Sequence, residues 1–168
     1  RRPGPFEFRT APPVRPVEVM LGRLLPCLVV GFVQVALVLA LGVLLFSVEI
    51  HGSLLELALG TLPFLAAMLA MGLVVSSVSR SQFQAMQLCF FFFLPSILLS
   101  GFMFPFEAMP EAAQWIGTVL PLTHYLRIVR GIVLKGASLG SLGGELAATG
   151  IFFAGALLLA ALTFRKRL

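Results

Sequence analysis

LLPCLVVGFVQVALVLALGVLLF, running from Leu24 to Phe46, contains no charged side chain. It is as long as the about 20 residues an α-helix needs to cross about 30 Å of hydrocarbon. Three further apolar stretches follow, Leu54 to Val78, Ala85 to Phe104 and Glu145 to Phe164, separated by polar breaks. A water-soluble domain has no use for such a row, so the chain reads as an all-α membrane protein with four transmembrane helices. Hydrophobic residues make up 59% of the sequence and charged ones 11%, and the mean hydropathy is +1.03, which excludes a surface exposed to water.

The net charge of +5 does not point to nucleic acid, because the basic residues sit at span ends rather than on one shared face. Arg1, Arg2, Arg9, Arg15 and Arg23 precede the first span, Arg80 lies between the second and third, and Arg165, Lys166 and Arg167 close the chain. The positive-inside rule makes all three places cytoplasmic, which is self-consistent for four spans and puts both termini inside. Arg127, Arg130 and Lys135 then fall in an outward segment. That exception is expected to reflect a segment folded back into the protein, where its cations are not ordinary loop charges.

Within the spans, Pro26 is expected in the first turn of the first helix, while Pro63 and Pro95 fall inside the second and third. Gln34 is expected to hydrogen-bond across helices, and Cys27 and Cys89 to pack as small hydrophobes. No ionisable residue lies near the middle of any span, so coupling to an ion gradient is not expected. The sequence contains neither a G-x-x-x-x-G-K-[ST] phosphate loop nor an H-E-x-x-H metal pair, and no cofactor, metal or catalytic residue is assigned. The chain opens on Arg followed by Pro-rich polar sequence rather than a signal peptide, and reads as the back part of a longer protein.

The segment after the third span carries the sharpest pattern. Gly101-Phe102-Met103-Phe104-Pro105-Phe106-Glu107-Ala108-Met109-Pro110-Glu111 is followed by Gln114-Trp115-Ile116 and by Leu120-Pro121-Leu122-Thr123-His124-Tyr125-Leu126-Arg127-Ile128-Val129-Arg130-Gly131. Pro105 and Pro110 bracket a tight turn. Trp115 and Tyr125, the only Trp and Tyr, are expected at a membrane interface. The apolar run from Ile116 to Leu134 is broken by Pro121 and by charges, so residues 105–136 read as a re-entrant helical hairpin between the third and fourth spans.

This pattern, from Leu98 to Gly136, resembles the type 2 ATP-binding-cassette (ABC) transporter permeases of the bacterial multidrug-exporter kind. Pro13-Val14-Arg15-Pro16, Gly22-Arg23-Leu24-Leu25-Pro26 and Arg165-Lys166-Arg167 extend the likeness over nearly the whole chain. The resemblance implies a six-span permease of the bacterial inner membrane, of which this chain holds spans three to six. It implies a permease homodimer or heterodimer docked on a separate ATPase subunit that hydrolyses ATP, contact with membrane lipids, and room for a membrane-fusion adaptor. A hydrophobic drug, lipid or similar compound would be moved out of the cell.

Residues 1–23 would be a cytoplasmic N-terminal segment and 24–168 the permease domain. The family's coupling element reads Arg-Glu-Arg-Glu-Arg-Gly-Thr before a Glu-Gln-Leu stretch; Gly4, Phe6 and Glu7 fit it in spacing, and Pro13 to Pro16 continue the match. Pro5 stands where the family has Thr, and prolines at 3, 5, 12 and 13 break the amphipathic helix such an element needs. The residues implied in ATPase coupling are Gly4, Phe6, Glu7, Pro13 and Pro16. Those implied in the outer gate and hairpin are Pro105, Glu107, Pro110, Trp115, Pro121, Thr123, Arg127, Arg130 and Gly131. Two other classes stay open at this point: a non-transporting assembly subunit or truncated remnant, and an intramembrane enzyme built on Ser100 and His124.

Overall fold

The computed structural model describes residues 16–47 and 49–165, and among them it is helical without strands. Helix α1 covers Pro16–Phe46, α2 Leu54–Val78 and α3 Gln82–Leu99; a 3-10 turn at Phe106–Ala108 leads into α4, Glu111–Val119, and α5, Pro121–Lys135; a second 3-10 turn, Leu139–Leu142, opens α6, Gly143–Arg165. Four segments are long and apolar enough to cross a membrane: Leu25–Phe46, Leu54–Val78, Gln82–Leu99 and Leu139–Thr163.

The centre of the bundle is the α2–α6 pair, with α5 laid against both and α1 and α3 at the edges. Buried on α2 are Gly60, Thr61, Ala67 and Ala70, and on α6 Thr149, Ala156 and Ala160. Small residues let helix backbones approach closely where lipid removes any hydrophobic drive between helices. Larger buried side chains gather where α5 meets α2: Leu57, Ile128, Ile132 and Val133 form the apolar core. Outward-facing positions such as Leu44, Phe91 and Ile151 are exposed, as a surface solvated by acyl chains requires.

Hydroxyls inside the bundle bond within their own helix, Thr61 to the Leu57 carbonyl at 2.7 Å, Ser96 to Phe92 at 2.7 Å and Thr149 to Glu145 at 2.8 Å. Among the described residues no buried side-chain polar atom lacks a partner, which the apolar environment demands. The start of α3 is fixed by a reciprocal cap. The Gln84 N–H donates to Ser81 Oγ at 3.2 Å, and the Gln84 side-chain oxygen accepts from the Arg80 N–H at 2.8 Å.

Several expectations change. Because α1 begins at Pro16, that residue occupies the first helical position, where no N–H is needed, and Pro26 lies well inside the helix rather than in its first turn. The third helix stops at Leu99, short of Phe104, because Gly101 turns the chain with φ +84°, a conformation open to glycine. Cys27 and Cys89 are exposed rather than packed, and Gln34 is exposed on α1 instead of bridging to a neighbour.

Candidate functional site: the cap between the third and fourth spans

Residues 101–142 form a cap whose parts are tied together by backbone groups that the broken helices leave free. Pro110 stands before α4 and its carbonyl accepts from the Ala113 and Gln114 N–H groups at 2.9 and 3.1 Å, while the Gln114 side-chain amide donates to the Met109 carbonyl at 2.9 Å. Leu120 both ends α4 and precedes α5, and Pro121 takes the first position of α5. Buried Thr123 donates its hydroxyl to the Gly117 carbonyl at 2.6 Å, which also accepts from the Leu120 N–H at 3.1 Å, so both lone pairs of that carbonyl at the end of α4 are used. A Cβ on Gly117 would stand 2.5 Å from the Leu99 carbonyl oxygen, so glycine is what lets α4 lie on the end of α3. At the far end of α5, Gly136 adopts φ +61° and its N–H donates to the Ile132 carbonyl at 3.2 Å.

Two of the cations of α5, Arg127 and Arg130, are committed to this cap, while Lys135 in its last turn is exposed. Arg127 donates to Glu145 Oε1 at 3.2 Å and its guanidinium lies 5.0 Å from the centre of the Phe106 ring, joining α5, α6 and the 3-10 turn. Arg130 donates to the Gly101 carbonyl at 3.0 Å, holding the turn that ends α3. His124 contacts Glu145 Oε2 through Nδ1 and the Thr118 carbonyl through Nε2 at 2.7 Å. With side-chain exposures of 13% for His124 and 23% for Glu145, this cluster is shielded enough for its pairings to matter energetically.

Of the residues expected here, Pro105, Pro110, Pro121, Thr123, Arg127, Arg130 and Gly131 fall within the cap framework, and Gly131 is buried facing the Leu142 side chain. Glu107 is exposed in the 3-10 turn, and Trp115 is exposed on α4. Tyr125 stacks on Phe64 of α2 with centroids 4.0 Å apart, and its hydroxyl lies 3.3 Å from that of Thr61. The helical register of α5 turns it into the bundle, where Thr61 supplies a polar partner.

Glu145 and Phe106 were not singled out by sequence. The available signal was the i, i+3 spacing of His124 and Arg127, which places both on one face of α5 and calls for a carboxylate opposite. Both ring nitrogens of His124 face Glu145 and Thr118, and Ser100 donates to the Ile97 carbonyl at 3.1 Å, so this histidine is not placed as a base for Ser100. The coupling residues Gly4, Phe6, Glu7 and Pro13 lie outside the described residues, and Pro16 is the first residue of α1.

Beside the cap, α1 and α2 enclose an apolar cavity of about 500 Å³ lined by residues that include Phe32, Leu39, Leu57 and Thr61. A second, of about 260 Å³, lies between α2 and α3 and is lined by Met68, Met71 and the Phe90, Phe92 and Phe93 rings. Among the described residues no group of His, Cys, Asp or Glu is placed to hold a metal ion.

Comparison with known proteins fits this architecture. The probable multidrug ABC transporter permease YbhR of Escherichia coli is 32% identical over 139 residues, covering 83% of this chain and 38% of YbhR. The probable multidrug ABC transporter permease YbhS of the same species is 31% identical over 134 residues, 79% of this chain and 36% of YbhS. ABC transporter G family member 20 of Dictyostelium discoideum is 32% identical over 126 residues, 75% of this chain and 17% of that protein. The chain thus spans less than two fifths of the length of these relatives, and no solved structure matches it. The ABC-2 type transporter family pattern matches residues 2–134, most of the chain. With four apolar helices and this match together, the chain is an integral membrane protein that belongs to the ABC-2 type transporter family.

Proposed function

We propose that the chain is the permease part of an ATP-driven exporter of the bacterial inner membrane, with both termini cytoplasmic and the cap on the outer face. The observation that carries this reading is membership of a transporter family by a bundle with no ionisable residue near the middle of its spans. A conduit without such groups needs its energy from a partner, here a separate ATPase subunit. ATP binding there would bias the bundle by a few kcal/mol through contacts that differ between inward and outward states. Arg80 in the α2–α3 loop and Glu49 in the α1–α2 loop agree with this orientation. So do Arg127 and Arg130, whose charges are spent on Glu145 and on the Gly101 carbonyl rather than left in a loop.

In this reading α4 and α5 re-enter the outer leaflet as the outer gate. Pro105, Pro110 and Pro121 set its turns, Thr123, Arg127, Arg130 and Gly131 fasten it, and Trp115 and Glu107 meet the interface. Two permease copies, or this chain and a second permease, enclose the path, and the multidrug relatives favour a hydrophobic cargo. Coupling would fall to Gly4, Phe6, Glu7, Pro13 and Pro16.

Inside-out vesicles holding the whole permease and its ATPase test the proposal with a fluorescent amphiphile. Accumulation that requires ATP hydrolysis is the expected result. Accumulation indifferent to ATP, or unchanged when the permease is deleted, would overturn it.

A further inference from the structure

We propose that His124 and Glu145 form a proton-dependent latch that holds α4 onto the α5–α6 pair. The inference starts from what surrounds the imidazole. Nδ1 faces a carboxylate oxygen of Glu145, and Nε2 faces the Thr118 carbonyl at 2.7 Å. A carbonyl oxygen only accepts, so Nε2 carries a proton. An ionised carboxylate also only accepts, so Nδ1 carries one too, unless Glu145 itself holds that proton and donates it to Nδ1. Either way the pair contains one proton more than a neutral imidazole and a free carboxylate, and that proton belongs to the pair as a unit.

The surroundings favour this state. Thr118 is the next-to-last residue of α4, so its carbonyl is one of the acceptors a helix end leaves open, and a cation is welcome there. The charged groups at the cluster are few. α6 supplies Glu145, α5 supplies Arg127, which bonds the other oxygen of that carboxylate, and α4 supplies only the Thr118 carbonyl. The 3-10 turn contributes the Phe106 ring under Arg127, and Arg130 is engaged with Gly101. Glu107 and Glu111 are exposed and belong to none of the ion pairs found among the described residues.

Loss of the extra proton leaves one N–H for two acceptors. The charge-assisted bond to Glu145 is the stronger and keeps it. Nε2 then presents a lone pair to the Thr118 carbonyl, and that contact opens. Arg127 still ties α5 to α6 and the Thr123 hydroxyl still holds the Gly117 carbonyl, so what loosens is the packing of α4, the short helix that carries Trp115. The latch is closed in acid and opens as the pH rises. It asks nothing of the transport reading, and holds or fails independently of it.

The test is a bimane label at Ala113→Cys, a half-buried site on α4, in a background of Cys27→Ser and Cys89→Ser, with the protein in lipid nanodiscs. Iodide quenching is read at about pH 5.5 and about pH 8.5. Quenching is expected to rise about twofold or more at the higher pH. His124→Gln should remove the pH dependence, and so should Glu145→Gln. In His124→Lys, whose ammonium donates to both acceptors throughout this range, the label should stay protected at both pH values. Equal quenching of the unsubstituted latch at the two pH values would overturn the proposal, whatever the variants do. A pH dependence that survives in His124→Gln would overturn it as well.

Discussion

Gly52→Val is expected to prevent stable assembly of the bundle. A Cβ at this position would lie 2.3 Å from the Ile132 carbonyl oxygen, 2.6 Å from Ile132 Cγ2 and 2.9 Å from the Ile132 carbonyl carbon. Two of those atoms are backbone of α5 and cannot swing aside as the end of a side chain does. The α1–α2 loop is further pinned there by the His51 N–H, which donates to the Val133 carbonyl at 3.1 Å, and by close approach of Gly136 to the His51 carbonyl. Ile132 is itself fully buried in the apolar core, so relieving the clash displaces the centre of the structure. Overpacking costs about 1–3 kcal/mol where side chains absorb it, and loss of the His51 bond adds about 1 kcal/mol. A total of about 3 kcal/mol or more is therefore expected. Thermal unfolding in detergent should show a lowered midpoint and a smaller monodisperse fraction for Gly52→Val, and a melt matching the unsubstituted protein would contradict the packing described.

The second large effect is expected from Glu145→Ala. This carboxylate is the acceptor for Arg127 and the partner of His124, so its removal leaves two donors without their anion and takes away the polar tie between α5 and α6. Breaking a fully buried pair costs about 3–5 kcal/mol. Here Arg127 is 42% exposed and water covers part of the loss, so about 2 kcal/mol is expected. Glu145→Gln, which keeps an acceptor oxygen, should lose less. The same melts give the check, with a double-mutant cycle pairing Glu145→Ala with Arg127→Leu. Once Arg127 is gone, the Glu145→Ala penalty should shrink, and strict additivity would mean that the two groups do not interact.

How much of this was legible in the sequence follows from the physics of each element. The second span is found at its expected bounds, Leu54–Val78, because polar residues flank a run whose only charge, Glu56, falls in the first turn. The end of α3 was not legible, because Phe102, Met103 and Phe104 continue the hydropathy beyond Gly101 while the chain has already turned. Two short helices were expected from the break at Pro121, which does open α5, but α4 starts at Glu111, ahead of the apolar run that begins at Ile116. The contacts of Tyr125 were not legible, because the interfacial preference of tyrosine says nothing of the Thr61 hydroxyl and Phe64 ring that meet it. The His124–Glu145 pair closes across 21 positions of sequence, beyond the reach of any local pattern. What the positive-inside rule did mark was Arg127, Arg130 and Lys135 as exceptions, and the structure supplies partners for the first two, Glu145 and the Gly101 carbonyl.

The proposed orientation puts the α2–α3 loop in the cytoplasm and the cap outside, on opposite ends of α3. Single cysteines placed at Arg80 and at Glu107, both exposed, test it directly in a background of Cys27→Ser and Cys89→Ser. A membrane-impermeant maleimide applied to cells with a permeabilised outer envelope and an intact inner membrane is predicted to label Glu107→Cys at once. Arg80→Cys should react only after the inner membrane is opened. The opposite pattern, or equal labelling of both before the inner membrane is opened, would contradict the account.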